Sequence, residues 1–291
     1  MHESSLKYLR CVKCHKKLDL EIIQRKEEIN EGFLVCKNCN LRHPIISKIP
    51  IIWETLSLYL SKRAQLGGHL YSHSTSQEMK SFIRNALSKV KKDIDDISWI
   101  EKKWVLIYLE SRKSRFYSTI KNILKKFPKS KTSLEHGCSV GFVSEFLAMQ
   151  NEVAFGIDSS YFAIAHAKKN FHQNLDYFVA DSLYHPFGNQ KFDLVVGLNL
   201  LELIEPKALI RVIASQIKNG TVVLSDPFDF ERGKNSVKDP LYEKTLRDEL
   251  IKYGFAISSQ TKKPSFISWN LNINKRSHLN YKVDLIIGNK F

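Results

Sequence analysis

The sequence has no apolar run near the roughly 20 residues that a bilayer-crossing helix needs, so no membrane span is expected. Its first ten residues, MHESSLKYLR, have neither an apolar core nor a small-residue cleavage site, so no secretory signal is read there and a cytoplasmic location is expected. No internal repeat or low-complexity tract is present. Two nucleotide loops are missing as well. Without Gly-Lys-Ser/Thr after a glycine loop the chain does not read as a P-loop enzyme, and without Gly-x-Gly-x-x-Gly it does not read as a nicotinamide dehydrogenase. Cysteine is scarce, with five in 291 residues, yet four of the five fall in two tight pairs. In a chain without a signal, that pattern reads as metal binding rather than a disulfide framework. What remains, 43% apolar and 26% charged residues, is the composition of a globular protein.

The net charge of +15 is unevenly spread. Residues 1–55 carry 10 Lys/Arg against 7 Asp/Glu, residues 56–131 carry 17 against 6, and residues 132–291 carry 18 against 17. The excess therefore sits in the middle segment. Such a basic stretch can follow the phosphates of a nucleic acid or an anionic surface, or can be a solvated helix face.

The cysteine pairs are Cys11-Val12-Lys13-Cys14 and Cys36-Lys37-Asn38-Cys39, separated by 21 residues. Each Cys-x-x-Cys lets two thiolates from one turn reach the same ion, and two such knuckles complete the closed tetrahedral shell of structural zinc. The spacer contains alternating apolar positions (Leu18, Leu20, Ile22, then Ile29, Phe33, Val35), which suit a β-hairpin between the knuckles. His15 and His43 lie nearby, but four thiolates already fill the shell, and His43 reads as a surface or packing residue.

The run from Leu9 to Trp53, with these cysteines, Gly32, Leu34, His43-Pro44-Ile45, Ile49-Pro50 and Ile52, resembles a small zinc ribbon. That family includes the free-standing activator subunit of tRNA and release-factor methyltransferases and is also found fused to methyltransferases. His43 stands where the family has an aromatic residue before Pro-Ile. About 55 residues bury little core alone, so the ion is expected to supply folding energy.

Residues 56–131 show helical periodicity and no strands. Ile94, Ile97, Ile100, Trp104, Ile107 and Tyr108, then Phe116, Ile120, Ile123, Leu124 and Phe127, recur at spacings of three and four. Pro128 stops the last helix, and Gly67-Gly68 marks an earlier break. Placed before an α/β core, such a segment can act as a lid. Tyr71, Phe116 and Tyr117 are candidates to line a pocket, or are plain core.

From Thr132 onward strands alternate with helices. Strands are expected at 133–136, 153–157, 177–179, 192–197, 221–225, 255–259 and 282–287, and helices beginning near Gly141, Ser160, Pro206 and Asp239. Alternation of this kind predicts a doubly wound, mainly parallel Rossmann-like sheet, whose ligands sit at the carboxyl ends of the strands. The turn Glu135-His136-Gly137-Cys138-Ser139-Val140-Gly141 follows the first strand. Glu135 disfavours a pyrophosphate and suits an ammonium or sulfonium. Asp158 ends the second strand, 17 residues beyond Gly141, where a carboxylate can accept ribose hydroxyls. Asp181-Ser182 ends the third, and Asn199 follows the fourth.

This succession resembles the class I (type-11-like) S-adenosylmethionine-dependent methyltransferases over residues 133–289. The resemblance implies a seven-stranded sheet with its last strand antiparallel. It also implies a cofactor site of Glu135, Gly137, Cys138 and Gly141 for the methionine part, Asp158 and Ser159 for the ribose, Asp181 and Ser182 for the adenine, and Asn199 beside them. Ser139 stands where the family has a glycine. Three segments follow: a zinc ribbon at 1–55, a basic helical linker or lid at 56–131, and a methyltransferase domain at 132–291.

Methyl transfer depends chiefly on positioning, so the sequence singles out no catalytic residue. Asp226-Pro227-Phe228 and the stretch from Trp269 to Tyr281 resemble the corresponding parts of carnosine- and mercaptohistidine-type N-methyltransferases. Asp226, Trp269 and Tyr117 are therefore substrate-pocket candidates, and a small amine or imidazole is the leading acceptor. The alternatives are an RNA or translation-factor substrate met through residues 56–131, and a cofactor-binding module without catalysis. The sequence gives no oligomeric state.

Overall fold

A computed structural model of the chain describes residues 1–90 and 95–291. In chain order it holds strands β1 (Asp19–Arg25), β2 (Ile29–Cys36), β3 (Leu41–Ile46) and β4 (Ile49–Ile52). Five helices follow: α1 (Leu56–Leu60), α2 (Ala64–His73), α3 (Gln77–Leu87), α4 (Ser98–Glu110) and α5 (Arg115–Leu124). Then come β5 (Thr132–His136), α6 (Phe142–Gln150), β6 (Val153–Asp158), α7 (Tyr161–Ala167), β7 (Leu175–Ala180), β8 (Leu194–Leu198), α8 (Pro206–Gln216) and β9 (Gly220–Asp226). The last elements are α9 (Glu243–Lys252), β10 (Ala256–Ile257), β11 (Ile267–Asn274) and β12 (Ser277–Lys290). Two compact units are formed, Met1–Leu106 with Ile157–Gln190, and Ile107–Gly156 with Lys191–Phe291.

In the first unit, β1 to β4 form an antiparallel ribbon in sequence order, with the β1–β2 hairpin joining the two knuckles. The ribbon does not stop at itself. β4, buried at all four positions, pairs in parallel with β7 through Ile51 opposite Val179 and Ile52 opposite Ala180. An apolar strand such as Ile-Pro-Ile-Ile leaves a hydrogen-bonding edge that must be covered, and β7 covers it. The helices that follow start on hydroxyl caps: Thr55 accepts from the Leu58 amide at 3.1 Å and Ser76 from the Met79 amide at 3.1 Å.

Gly67 and Gly68 lie inside α2 rather than at a break. The reason is packing: a Cβ on Gly67 would stand 2.4 Å from Leu87 Cδ2, so the glycine lets α2 meet α3 closely. Ile97 and Trp104 are half-buried and Ile107 is buried, but Ile100 is exposed. Ile94 lies outside the described residues.

A buried ion cluster ties the ribbon to the elements around β7. Lys168, one residue past α7, holds Glu28 between β1 and β2 and reaches Asp176 of β7 at 2.9 Å. Asp176 also accepts from the Ser5 hydroxyl at 2.6 Å and the His2 amide at 2.8 Å. Burial pushes Glu28 upward, yet the charges of Lys168 and the amino terminus outweigh it and hold the carboxyl at about 2.

In the second unit the strand order is β5-β8-β9-β12-β10, with β5, β8 and β9 parallel and the last strand, β12, antiparallel to β9 as expected. β12 is long enough to pair twice. Asp284–Lys290 lies against β9, while Ser277–Val283 forms a hairpin with β11. That hairpin extends the final strand beyond the expected 282–287 and supplies β11, which the alternating Trp269, Leu271 pattern in Ile267–Asn274 explains: Trp269 and Leu271 are buried while Asn270 and Asn272 face solvent. The helix expected near Asp239 starts at Glu243, where a Thr245 side chain caps the Tyr242 amide. Of the expected strand 255–259, only Ala256–Ile257 pairs with β12, and a 3-10 turn, Ser259–Thr261, follows it. Phe116, Ile120 and Leu124, at steps of four, bury one face of α5.

Lys168→Met removes the cation that Glu28 and Asp176 share, leaving Asp176 without an ion-pair partner among the described residues and Glu28 with only the amino terminus at 3.2 Å and Lys48 at 3.4 Å. It is expected to lower stability by about 3–5 kcal/mol in urea unfolding. The Glu28 contribution in the unchanged protein is fully present above the ordinary glutamate value of 4.5 and is lost as pH falls toward about 2. Lys168→Met should flatten that acid-side slope.

Candidate functional site

The turn between β5 and α6 is the most constrained backbone in the second unit. Gly137, Ser139 and Gly141 take φ of 64°, 48° and 85°, all left-handed, and the Gly141 amide donates to the Cys138 carbonyl at 2.9 Å. At Gly137 a Cβ would meet Leu200 Cδ2 at 2.4 Å, so the turn and the loop after β8 meet backbone to side chain with no room for a substituent. Ser139 is the irregular member. The left-handed conformation explains why a glycine suits that position, because a Cβ there costs about 1 kcal/mol. Glu135, 3% exposed, accepts from the Ser144 hydroxyl at the start of α6, which fixes its carboxylate under the turn. Cys138 is buried, in keeping with a packing residue.

Parallel pairing brings the ends of β5, β8 and β9 side by side, with His136 opposite Gly197 and Leu198 opposite Ser225. Asn199 just past β8 has φ of 56°, its amide donates to the Ser225 carbonyl at 2.6 Å, and its side-chain oxygen accepts from the Ser225 hydroxyl at 2.9 Å. Asp226 ends β9 with no exposed surface and accepts from the Leu201 and Phe228 amides, both at 2.8 Å. So Glu135, Gly137, Cys138, Gly141, Asn199 and Asp226 belong to one edge of the second unit. His136 is buried beside them and accounted for by Gln216 at 2.8 Å; burial lowers it to about 4, so it is a neutral packing residue.

Tyr117 and Trp269 meet through α5 and β11. Phe116 lies 5.2 Å from Trp269 and 5.3 Å from Tyr117, and Tyr108 stacks on Trp269 at 6.1 Å. Burial, then the neighbouring Tyr108 and Glu135, raises the Tyr117 phenol above its ordinary range. Trp269 is 4% exposed and its Nε1 has no partner. Tyr71, by contrast, belongs to the first unit under Lys80 and Arg84, 5.8 and 5.7 Å from its ring.

Asp158, Ser159, Asp181 and Ser182 also belong to the first unit, at the ends of β6 and β7. Both carboxylates steady their own turns: Asp158 accepts from the Ser160 amide at 2.8 Å and Asp181 from the Leu183 amide at 2.7 Å. Sequence reasoning missed Tyr59. Its hydroxyl donates to the Ser159 carbonyl at 2.9 Å and accepts from the Tyr161 amide at 3.1 Å, holding the turn that carries Asp158. No spacing rule flags it, since it lies 100 residues away in the five-residue helix α1. Glu202, Arg232 and Tyr281 around Asp226 were missed for a similar reason: they come from three separate loops and strands.

The four thiols of the first unit converge. All four Sγ atoms of Cys11, Cys14, Cys36 and Cys39 lie within 4.8 Å of one another, and Cys14 and Cys36 are 3.5 Å apart. Tetrahedral zinc with bonds of about 2.3 Å spaces its sulfurs by about 3.8 Å. The residues after the two knuckles, His15 and Asn40, both take left-handed φ, 57° and 55°, so the two turns are built alike. Hydrogen bonding from the Lys16 amide holds the Cys14 thiol down at about 6. His43 is 1% exposed in β3, and burial lowers it to about 4, so it is neutral and packed.

Residues 134–220 match the family described as methyltransferase domain. The match opens within β5 and closes at the start of β9, so it takes in the β5–α6 turn and Asn199 but stops short of Asp226. Among curated proteins, the chain is 33% identical over 96 residues to the ubiquinone biosynthesis O-methyltransferase of Coxiella burnetii, a stretch making 32% of this chain and 41% of that protein. The chain thus spans about two fifths of the length of the curated relatives it matches. Among solved structures, one is the complex between the Haloferax volcanii Trm112 methyltransferase activator and a methyltransferase. It aligns with a TM-score of 0.51 and 16% identity over 65% of this chain and 96% of that one. Another is magnesium protoporphyrin IX methyltransferase from Synechocystis PCC 6803 with bound SAH, with a TM-score of 0.47 and 17% identity over 64% and 85%. The chain has the mixed α/β, Rossmann-like methyltransferase fold, and among the described residues no helix is long and apolar enough to cross a membrane.

Replacing Ser139 by glycine removes the one side chain forced into the left-handed region of the β5–α6 turn. Ser139→Gly is expected to raise stability by about 0.5–1 kcal/mol, read as a higher unfolding midpoint, whereas Gly137→Ala should lower it.

Proposed function

We propose that the chain is an S-adenosylmethionine-dependent methyltransferase acting on a small amine or imidazole-type metabolite, with a structural zinc ion in its N-terminal ribbon. The observation that carries the reading is the β5–α6 turn: three left-handed residues and a buried, anchored Glu135 open the stretch that matches the methyltransferase family. On this reading Glu135, Gly137, Cys138 and Gly141 hold the methionine part of the cofactor. Asp158 and Ser159 hold the ribose, Asp181 and Ser182 the adenine, and Asn199 borders the reacting end. When bound, the cofactor supplies a methyl group activated by a sulfonium. Everything else is positioning and exclusion of water, which the chain's own residues perform.

Support for a small nitrogen acceptor comes from the second unit, where Trp269 and Tyr117 form an aromatic patch and Asp226 adds a buried carboxyl. Aromatic faces and carboxylates together suit a cationic or polarised nitrogen. The four-thiol geometry supports zinc, and a closed shell of thiolates leaves no position for catalysis. Residues 1–55, 56–131 and 132–291 then serve as ribbon, helical linker or lid, and methyltransferase segment, in a cytoplasmic protein. An RNA or translation-factor substrate is the second reading. Exposed Lys102, Lys103, Arg112, Lys113, Arg115, Lys125 and Lys126 favour it.

Labelled S-adenosylmethionine incubated with size-fractionated cell extract, with and without ribonuclease, separates these readings. Label is expected in the small-molecule fraction and unaffected by ribonuclease. Label that is lost on ribonuclease treatment and falls steeply with added salt assigns the substrate to RNA instead. Removal of metal by a chelator should abolish cooperative unfolding of the ribbon-bearing unit; unchanged unfolding of demonstrably metal-free protein contradicts structural zinc.

A further inference from the structure

Beyond the cofactor turn, the second unit holds a group of charged side chains that no motif announced. Glu202, four residues past β8, is 5% exposed. Its Oε1 meets Arg232 Nη2 at 2.6 Å, while its Oε2 is buried and has no partner. Leaving a carboxylate oxygen buried and unmade is costly, so such an atom points to a missing donor. Asp226 lies beside it with both oxygens taken up by backbone amides. On the other side Arg232 also reaches Asp229 at 3.4 Å, and Asp229 accepts from the Tyr281 hydroxyl at 3.0 Å. Tyr281 in turn lies 5.8 Å from Trp269, whose Nε1 is the second unpartnered polar atom of this region.

The backbone here is held under strain. Asn199 and Phe228, which follow β8 and β9, both sit in the left-handed region at φ of 56° and 55°. A bulky residue such as phenylalanine adopts that conformation only where its surroundings enforce it, and Asp226 does so by accepting the Phe228 amide. Strain of this kind clusters where side chains are aimed at a ligand. Three carboxyls against one guanidinium, next to the rings of Tyr281 and Trp269, leave this edge short of positive charge.

We propose that Glu202 is the proton acceptor for the methyl acceptor, and that the acceptor is a protonated amine whose N–H meets the unpartnered Oε2. This deepens, and rests on, the methyltransferase reading. The proton passes from nitrogen to the Glu202 carboxylate. The freed lone pair forms the bond to the methyl carbon as the carbon–sulfur bond of the sulfonium donor breaks, with its electron pair left on sulfur. Glu202 then returns the proton to water. Arg232 positions the carboxylate through Oε1 and sets its basicity.

The groups facing Glu202 account for a base suited to neutral pH. Burial pushes Glu202 up to about 7 against the pull of Arg232. Burial and then the Glu202 charge push Asp226 up to about 7 as well. Tyr281, held on Asp229, stays neutral because burial and that carboxylate raise it to about 12. A base is most effective when its value lies near the working pH.

Two measurements on the full-length, metal-loaded protein test the proposal. The first follows side-chain carboxyl carbons by NMR across a pH titration, using Glu202→Gln to identify the Glu202 signal. A midpoint near 7 that rises in Arg232→Gln is expected; a midpoint in the ordinary carboxylate range overturns the proposal. The second offers labelled S-adenosylmethionine with putrescine, histamine and catechol as acceptors. Transfer to an amine is expected, rising as pH passes through the Glu202 midpoint. Glu202→Gln should lower it at least about 100-fold with cofactor binding by calorimetry unchanged, and Arg232→Gln should move the acid limb to higher pH. Transfer to catechol alone, transfer to none of the three while the cofactor binds, or a Glu202→Gln variant as fast as the parent overturns it. Absence of cofactor binding in the parent protein defeats the methyltransferase reading itself.

Discussion

Parallel strand pairing is the constraint on which the candidate site depends. When β5, β8 and β9 run the same way, their carboxyl ends must finish on one edge, and whatever follows each strand is delivered there together. The residues that follow are the chemically useful ones: the β5–α6 turn, Asn199 and the loop to Glu202, and Asp226 with its Phe228 turn. None of these could be assembled by local sequence alone. The strands themselves need only be apolar, and Leu194–Leu198 and the Val-Val-Leu of β9 meet that need. Once the sheet is set, the polar ends have few ways to satisfy their backbone groups. Left-handed residues at Gly137, Ser139, Gly141, Asn199 and Phe228 are the outcome.

The ribbon obeys a different logic. A segment of about 55 residues buries too little core to stand alone, and two attachments tie the ribbon into the first unit: the β4–β7 pairing and the Lys168 cluster. A buried ion pair adds little net stability over an apolar contact of the same shape, but it discriminates strongly against a wrong register, since a slip strands a charge. Zinc, held by the four thiols, would close the far end. Ribbon, α1 to α3 and α7–β7 thus form one compact body although they come from two distant stretches of chain.

Much of this was legible in the sequence. The paired cysteines, the hairpin between them, the parallel core strands and the positions of Glu135, Gly137, Gly141, Asp158 and Asp181 at strand ends follow from spacing and periodicity. What was not legible depends on contacts between distant residues. Gly67 read as a helix break because helix propensity counts the glycine, whereas the close approach of Leu87 decides its place. β11 was not expected, and the final strand was read as 282–287 only, because the 14-residue β12 pairs with two partners at once. Tyr59 and Glu202 carry no motif: one acts through a hydroxyl 100 residues away in sequence, the other through an oxygen that finds no partner. Sequence patterns register what repeats, and an orphaned oxygen repeats nowhere.

We propose above all that the edge built by these strand ends holds S-adenosylmethionine. Calorimetric titration of the folded, metal-loaded chain with S-adenosylmethionine tests it most directly. Saturable stoichiometric binding, weakened at least about tenfold in Asn199→Ala and in Glu135→Gln, corresponding to about 1.4 kcal/mol or more, is the predicted result. Absence of binding to the folded parent protein, or binding that both substitutions leave untouched, would contradict it.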